Sequence, residues 1–167
     1  VISTLLGSCI AVALYDQASL VGGLNHFMLP SHRTKDATLV SEEARYGIHA
    51  MELLINDLLR NGANRALLRA KVFGGSTMIK LGKPSTFDVP KMNIRFAFEF
   101  LDTERIPVDS YSVGGGSPRR IYFFSRTAKV LQRFTERGES AIGKRDERYS
   151  TQLQESFAAG GKPTLFI

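Results

Sequence analysis

Ile10, Val12 and Leu14 alternate with Cys9, Ala11 and Ala13 up to Asp16. A period of two predicts a strand with two distinct faces. Leu20 to Leu29 predicts a second strand, in which Gly22-Gly23 marks a bulge or a close backbone approach. The turn-tolerant residues Asp16 to Ser19 join the two. The polar stretch Ser31 to Thr38, after Pro30, predicts an exposed loop. Ser41 is placed to cap a helix running to about Arg60. Ile48, Met51, Ile55, Leu58 and Leu59 give that helix an apolar stripe, and Gly62 sits where a C-terminal cap belongs. Ala66 to Phe73 predicts a strand ending at Gly74-Gly75, and Lys80 to Pro90, with two prolines, a loop. Ile94, Ala97, Phe98 and Leu101 mark a second amphipathic helix. Sheet segments follow at Ile106 to Val113, Arg120 to Ser125 and Val130 to Phe134, with a turn at Gly114 to Gly116.

The composition narrows the class. A chain of 167 residues, 43% hydrophobic and 23% charged, supports one core and excludes wholesale disorder. No apolar run approaches the roughly 20 residues of a membrane-spanning helix. The single cysteine, Cys9, excludes an internal disulfide and a CxxC-type metal site, and it fits a reducing cytoplasm. His26, His32 and His49 match no zinc spacing, so no metal is expected. The chain opens at Val1, already inside an apolar segment, and a short upstream segment is expected. The net charge is +6, and all of it lies in residues 1–135, because residues 136–167 carry five basic and five acidic residues. A basic body favours an acidic partner. Residues 136–167 are charged and poor in large apolar side chains until Leu165-Phe166-Ile167, and they are expected to form a weakly ordered extension of the domain at 1–135.

The candidate chemistry depends on how the first two strands pair. A two- or four-residue loop centred between Gln17 and Ala18 sets Asp16 opposite Ser19 and Cys9 opposite His26. Opposite side chains share a face, with Cβ atoms about 4.5–5.5 Å apart. An imidazolium beside a thiol stabilises the thiolate and then supplies a proton to a leaving group. A third group must hold the ring, and the hydroxyls of Ser3 and Thr4 lie just upstream. Gly7 gives a side-chain-free approach beside the thiol, and the Cys9 N–H can donate to an oxyanion. Spacing alone also fits a small buried cysteine with no catalytic role.

Thr4 to Val12, with Gly7-Ser8-Cys9, and Gly23-Leu24-Asn25-His26-Phe27-Met28-Leu29-Pro30 closely resemble the opening of the CheD family of chemoreceptor glutamine deamidases. The likeness continues through Arg45-Tyr46-Gly47, Ala50-Met51, Gly62-Ala63, Ala70 to Gly75 with Met78, and Gly115 with Pro118-Arg119-Arg120, over roughly residues 2–135. It implies an α+β fold, a three-layer α-β-β sandwich similar to bacterial toxin deamidases, and a Cys-His-Thr triad. Carried over, Cys9 is the nucleophile and His26 the base and acid. The family threonine falls at Ser3, which takes the orienting role with Thr4 as rival. Gly7, Ser8 and Asn25 are expected to support the oxyanion, and Arg119 and Arg120 to bind substrate. At Lys91-Met92-Asn93 the family usually reads Gly-x-Arg-Asn, so Asn93 is kept while the glycine and arginine are not.

The resemblance implies hydrolysis of glutamine side-chain amides on cytoplasmic chemoreceptor helices, without a cofactor, and, in organisms that have one, a CheC-type phosphatase as partner. Rival readings are a general cysteine amidohydrolase or transglutaminase-like toxin domain with the same dyad, and a non-catalytic binding module. Nucleic-acid binding rests on charge alone, since no helix carries a basic stripe interleaved with aromatics.

Overall fold

A computed structural model describes residues 1–29, 42–77 and 89–135. The expected loop at 31–38, the Ser41 cap, His32, Met78 and the extension at 136–167 lie outside the described residues, as does the loop expected at 80–90 up to residue 88; its last two residues, Val89 and Pro90, instead open a helix, where proline is tolerated in the first turn. Within them the fold is mixed α+β, with two helices and two sheets. Strands β1 (Ile2–Leu6), β6 (Arg119–Phe124) and β7 (Lys129–Phe134) form a three-stranded sheet in the order β1-β6-β7. Strands β2 (Ile10–Asp16), β3 (Val21–Phe27), β4 (Arg69–Gly74) and β5 (Val108–Val113) form a four-stranded sheet in the order β3-β2-β4-β5. Helices α1 (Glu42–Arg60) and α2 (Val89–Thr103) complete it. Neither helix is long and apolar enough to cross a membrane.

Every residue of β2 is buried, because it is an interior strand with both faces covered. Alternation sends Ile10, Val12 and Leu14 to one face and the smaller Ala11 and Ala13 to the other. The helices lie against the first face: a Cβ on Gly23, the β3 neighbour of Leu14, would lie 2.7 Å from Leu54 Cδ1 and 3.3 Å from Leu58 Cδ2 of α1. The three-stranded sheet meets the second face, where a Cβ on Gly22 would strike the Ser125 carbonyl at 2.6 Å and the Phe123 ring at 3.1 Å. Small alanines on that face let the second sheet approach. Full burial of side chains such as Ile10, Phe27, Met51 and Leu101 contributes about 1.5–3 kcal/mol each.

Helix α1 ends as its sequence predicts. Ala63 N–H donates to Leu58 O and Gly62 N–H to Leu59 O, both at 3.0 Å, with Gly62 at φ +94°. That pair of bonds is a Schellman cap, which satisfies two carbonyls at the helix end. Helix α2 begins earlier than its apolar pattern indicates, and its fully buried stripe is Asn93, Ala97, Phe100 and Leu101. Ile94 and Phe98 are only half-buried. A polar amide thus occupies the first core position of α2. Strand β4 starts three residues later than expected, because Arg65–Leu67 forms a 3-10 turn capped by the Asn64 side chain.

The expected hairpin register is corrected. Ile10 pairs with Phe27, Ala11 with His26 and Asp16 with Val21. The loop holds four residues, Gln17 to Leu20, and its centre lies one residue later than expected. Asp16 Oδ1 accepts the N–H of Ala18 at 2.9 Å and of Ser19 at 3.4 Å, and Leu20 closes the loop in the left-handed region at φ +59°. The side chain of Asp16, rather than a tight turn, therefore sets the pairing. Strand β1 was not anticipated as a strand at all.

Candidate active site

Cys9 sits between β1 and β2, at the entry to the central strand, and is 2% exposed. His26 is half-buried on edge strand β3 and lies opposite Ala11, two residues from Cys9. A two-residue shift preserves the face, so thiol and ring stay on the side of the sheet that meets β1 and β6. They are diagonal neighbours, a relation with a spacing of about 7–8 Å across a sheet that a long side chain spans.

Thr4 of β1 supplies the ring's partner. Its Oγ1 lies 2.8 Å from His26 Nδ1, in a hydrogen bond across the two sheets. Ser3, expected in that role, is exposed and pairs with Tyr122 on the opposite face of β1. Alternation along one strand decides between them: Thr4 pairs with buried Ile121 and therefore points inward. β1 and β3 are edge strands of their sheets, so Thr4 and His26 meet at an open margin of the interface.

The backbone around Cys9 is held from several directions. Cys9 O accepts from Gly75 N–H at 2.6 Å, and Gly7 O accepts from Ser76 N–H at 2.7 Å. Gly74 and Gly75 have φ values of +111° and +65°, a region that disfavours side chains. A Cβ on Gly74 would collide with the Cys9 carbonyl oxygen, and one on Gly75 would reach Ile94 at 2.6 Å. The glycine pair thus does more than end a strand: it lets β4 continue onto the Cys9 backbone. On the other side, Asn93 Nδ2 donates to Ser8 O at 2.9 Å.

Two expected site residues lie elsewhere. Asn25 is buried on the helix-facing side: its Oδ1 accepts from Val12 N–H at 3.0 Å, and its Nδ2 lies 3.1 Å from Met51 Sδ. It cannot face an oxyanion at Cys9, because adjacent strand residues point to opposite faces. Arg119 is 2% exposed and not available to a substrate. Its guanidinium donates to Ser112 O and Gly114 O, and to the Oγ atoms of Ser112 and Ser76 at 3.0 Å each. Burial lowers its pKa from the ordinary arginine value. Arg119 pins Ser76, whose N–H holds Gly7, so it supports the cysteine segment from beneath. Arg120 points outward beside Arg133 of β7. Gly7 and Ser8 lie next to Cys9, and their carbonyls serve as anchoring points.

A second cluster lies at the other end of β2. Tyr15 donates to Asp109, which also binds Arg69 through two guanidinium nitrogens. Burial, and then the Asp109 bond, push the Tyr15 hydroxyl up to about 12. Along the β3 margin runs a cavity of about 380 Å³ lined by Ile2, Gly22, Leu24, Leu54 and Asp57 among others, with neither Cys9 nor His26 in its wall. Asn93, Thr4, Gly74 and Ser76 carry the local geometry, and of these only Thr4 was singled out for a role. A polar residue in phase with the α2 apolar stripe, and a glycine pair closing a strand, are the signals that point to Asn93 and Gly74.

A family model described as CheD chemotactic sensory transduction matches residues 28–134. The chain is 41% identical to the "Probable chemoreceptor glutamine deamidase CheD" of Methylobacillus flagellatus, over 96% of this chain and 79% of the relative. It is 39% identical to the protein of the same name in Thiobacillus denitrificans, over 95% of this chain and 78% of the relative. It is 41% identical to "Probable chemoreceptor glutamine deamidase CheD 2" of Shewanella oneidensis, over 99% of this chain and 85% of the relative.

Proposed function

The chain belongs to the CheD family, and we propose that it is a chemoreceptor glutamine deamidase acting through a Cys9-His26 dyad oriented by Thr4. The observation that carries the mechanism is the 2.8 Å bond between Thr4 Oγ1 and His26 Nδ1. With Nδ1–H donating to the threonine, Nε2 is the nitrogen that takes the thiol proton in this reading. Cys9 thiolate then attacks the carboxamide carbon of a substrate glutamine. His26 gives its proton to the departing ammonia, leaving a thioester. Water, deprotonated by His26, attacks the thioester carbon and releases glutamate with the thiol restored. The Cys9 N–H is the first oxyanion donor in this reading, beside the side-chain-free Gly7.

Helices on one face of the four-stranded sheet and a second sheet on the other support the α-β-β layering expected from the resemblance, and with it the kinship to toxin deamidases. Besides the buried Arg119, β1, β6 and β7 carry Arg120, Lys129 and Arg133 and no carboxylate. Such a face suits an acidic receptor helix, and Arg120 is its substrate-facing member. A CheC-type phosphatase is a further partner in the same reading, and the cytoplasm its compartment.

Incubation with a glutamine-bearing chemoreceptor cytoplasmic fragment tests the proposal. The expected result is ammonia release with a mass gain of about one dalton per converted glutamine. Absence of conversion by the folded protein would refute it. The 2% exposure of Cys9 favours a second reading, a binding module whose cysteine is core. Fast thiol alkylation at neutral pH, dependent on His26, excludes that reading; slow alkylation insensitive to His26 establishes it.

A further inference from the structure

The hairpin that carries Cys9 and His26 stops pairing one residue short of the thiol. Its last rung is Ile10 with Phe27. Continuing the same register places Ser8 opposite Leu29, yet these two backbones do not bond to each other. Instead the side-chain amide of Asn93 lies between them. Leu29 N–H donates to Asn93 Oδ1 at 2.8 Å, and Asn93 Nδ2 donates to Ser8 O at 2.9 Å. One carboxamide supplies an acceptor to one strand and a donor to the other, so it replaces the missing rung with a wider one. Asn93 itself is fully buried in the first core position of α2.

We propose that Asn93 is a positioning residue for the deamidation: its amide wedges the hairpin open at Cys9 and sets where the thiol stands relative to His26. This rests on the dyad reading above. On the opposite side Gly75 N–H binds Cys9 O, so the cysteine segment is clamped between a direct backbone bond to β4 and an amide spacer to β3. A hydrogen-bonded rung in place of the spacer would draw Ser8 toward Leu29 and turn Cys9 with it. An apolar residue at 93 would take the amide partner from the half-buried Ser8 carbonyl and from the buried Leu29 N–H. Asn is the residue of the right length that both donates and accepts, which a carboxylate or an aliphatic side chain cannot do.

The test is Asn93→Asp, which keeps the acceptor for Leu29 and removes the donor to Ser8. Three quantities are read: kcat and KM on a receptor fragment, and the pH dependence of Cys9 alkylation. We expect kcat at neutral pH to fall by about ten-fold or more with KM unchanged. The alkylation midpoint moves up toward the ordinary thiol value of about 8.5. The loss narrows as pH falls, because a protonated carboxyl donates to Ser8 again. A folded variant with unaltered kcat and an unaltered alkylation midpoint overturns the proposal. So does a rate that falls only in proportion to the fraction of folded protein. If the variant does not fold, hydrogen exchange in the unsubstituted protein decides: protection of the Leu29 amide comparable to Phe27 supports the spacer, and exchange at the rate of a free amide overturns it. Should the unsubstituted protein release no ammonia, the deamidase reading fails separately, and the alkylation midpoint of Asn93→Asp still decides whether Asn93 sets the environment of the thiol.

Discussion

Thr4 Oγ1 and His26 Nδ1 lie 2.8 Å apart and join the edge strands of two different sheets. The bond fixes one ring nitrogen, and in the proposed mechanism the other carries the proton transfer. Replacing Thr4 by Val removes the hydroxyl at nearly constant volume. The expected outcome is a fall in kcat of about ten-fold or more, while Ser3→Ala on the exposed face of β1 changes it less than about two-fold. Steady-state kinetics on a receptor fragment checks both, and equal effects of the two substitutions would count against the orienting role of Thr4.

Cys9→Ala removes the proposed nucleophile but little volume from a buried position. Ammonia release falls to background, and thermal unfolding shifts by the equivalent of about 1 kcal/mol. Residual turnover at the parental rate would exclude the thiol from the chemistry.

Gly74 has φ +111° and no space for a Cβ beside the Cys9 carbonyl oxygen. Gly74→Ala therefore imposes backbone strain and a displacement on the cysteine segment at once. A loss of about 2 kcal/mol in denaturant unfolding is expected, together with lower activity per folded molecule. Gly114→Ala is a matched control: it too lies at positive φ, +73°, but has nothing within 4 Å of its Cβ position. It should lose stability with little change in activity per folded molecule.

Arg119→Met leaves the Gly114 carbonyl and the Ser76 hydroxyl without the guanidinium that binds them. Destabilisation of about 2–4 kcal/mol follows from the loss of several charge-assisted hydrogen bonds in a buried setting. Arg120→Ala, at an outward-facing position, is expected instead to raise KM with stability unchanged. Chemical denaturation and substrate titration separate the two roles.

The pH dependence of stability has an acid arm and an alkaline arm. Asp16 is held below the usual carboxylate range chiefly by the Asn64 N–H, and Asp109 chiefly by its bonds to Arg69. Depressed folded-state values mean that their stabilisation is present above about pH 4 and is lost as pH falls through the folded values. Tyr15 is pushed the other way, from 10.0 to about 12. Its contribution is complete below its unfolded value and is lost as pH rises toward 12. Tyr15→Phe should cost about 1 kcal/mol at neutral pH and flatten the alkaline arm, as read from unfolding midpoints across pH.

The strands β2 to β7 and both helices were legible as periods of two and 3.6, and Gly62 as a cap, because these depend on residues close together in the chain. Cys9 and His26 stood out as the only thiol and a nearby imidazole, flanked by a motif order that matches a family. The hairpin register was misread by two residues because the Asp16 side chain organises the loop through N–H groups that no turn dipeptide advertises. Strand β1 escaped notice because its partner, β6, lies more than a hundred residues away. The choice of Thr4 over Ser3 required knowing which face of β1 meets the second sheet, and the burial of Arg119 required the same. Local propensity is written along the chain. The direction in which a side chain points relative to another sheet is set by long-range packing, where burial of apolar faces selects one register and one orientation. That is why Cys9 and His26 could be singled out from a motif order that resembles a family, whereas the Thr4 hydroxyl at the ring and the Asn93 spacer emerge only when distant strands and a helix are brought together.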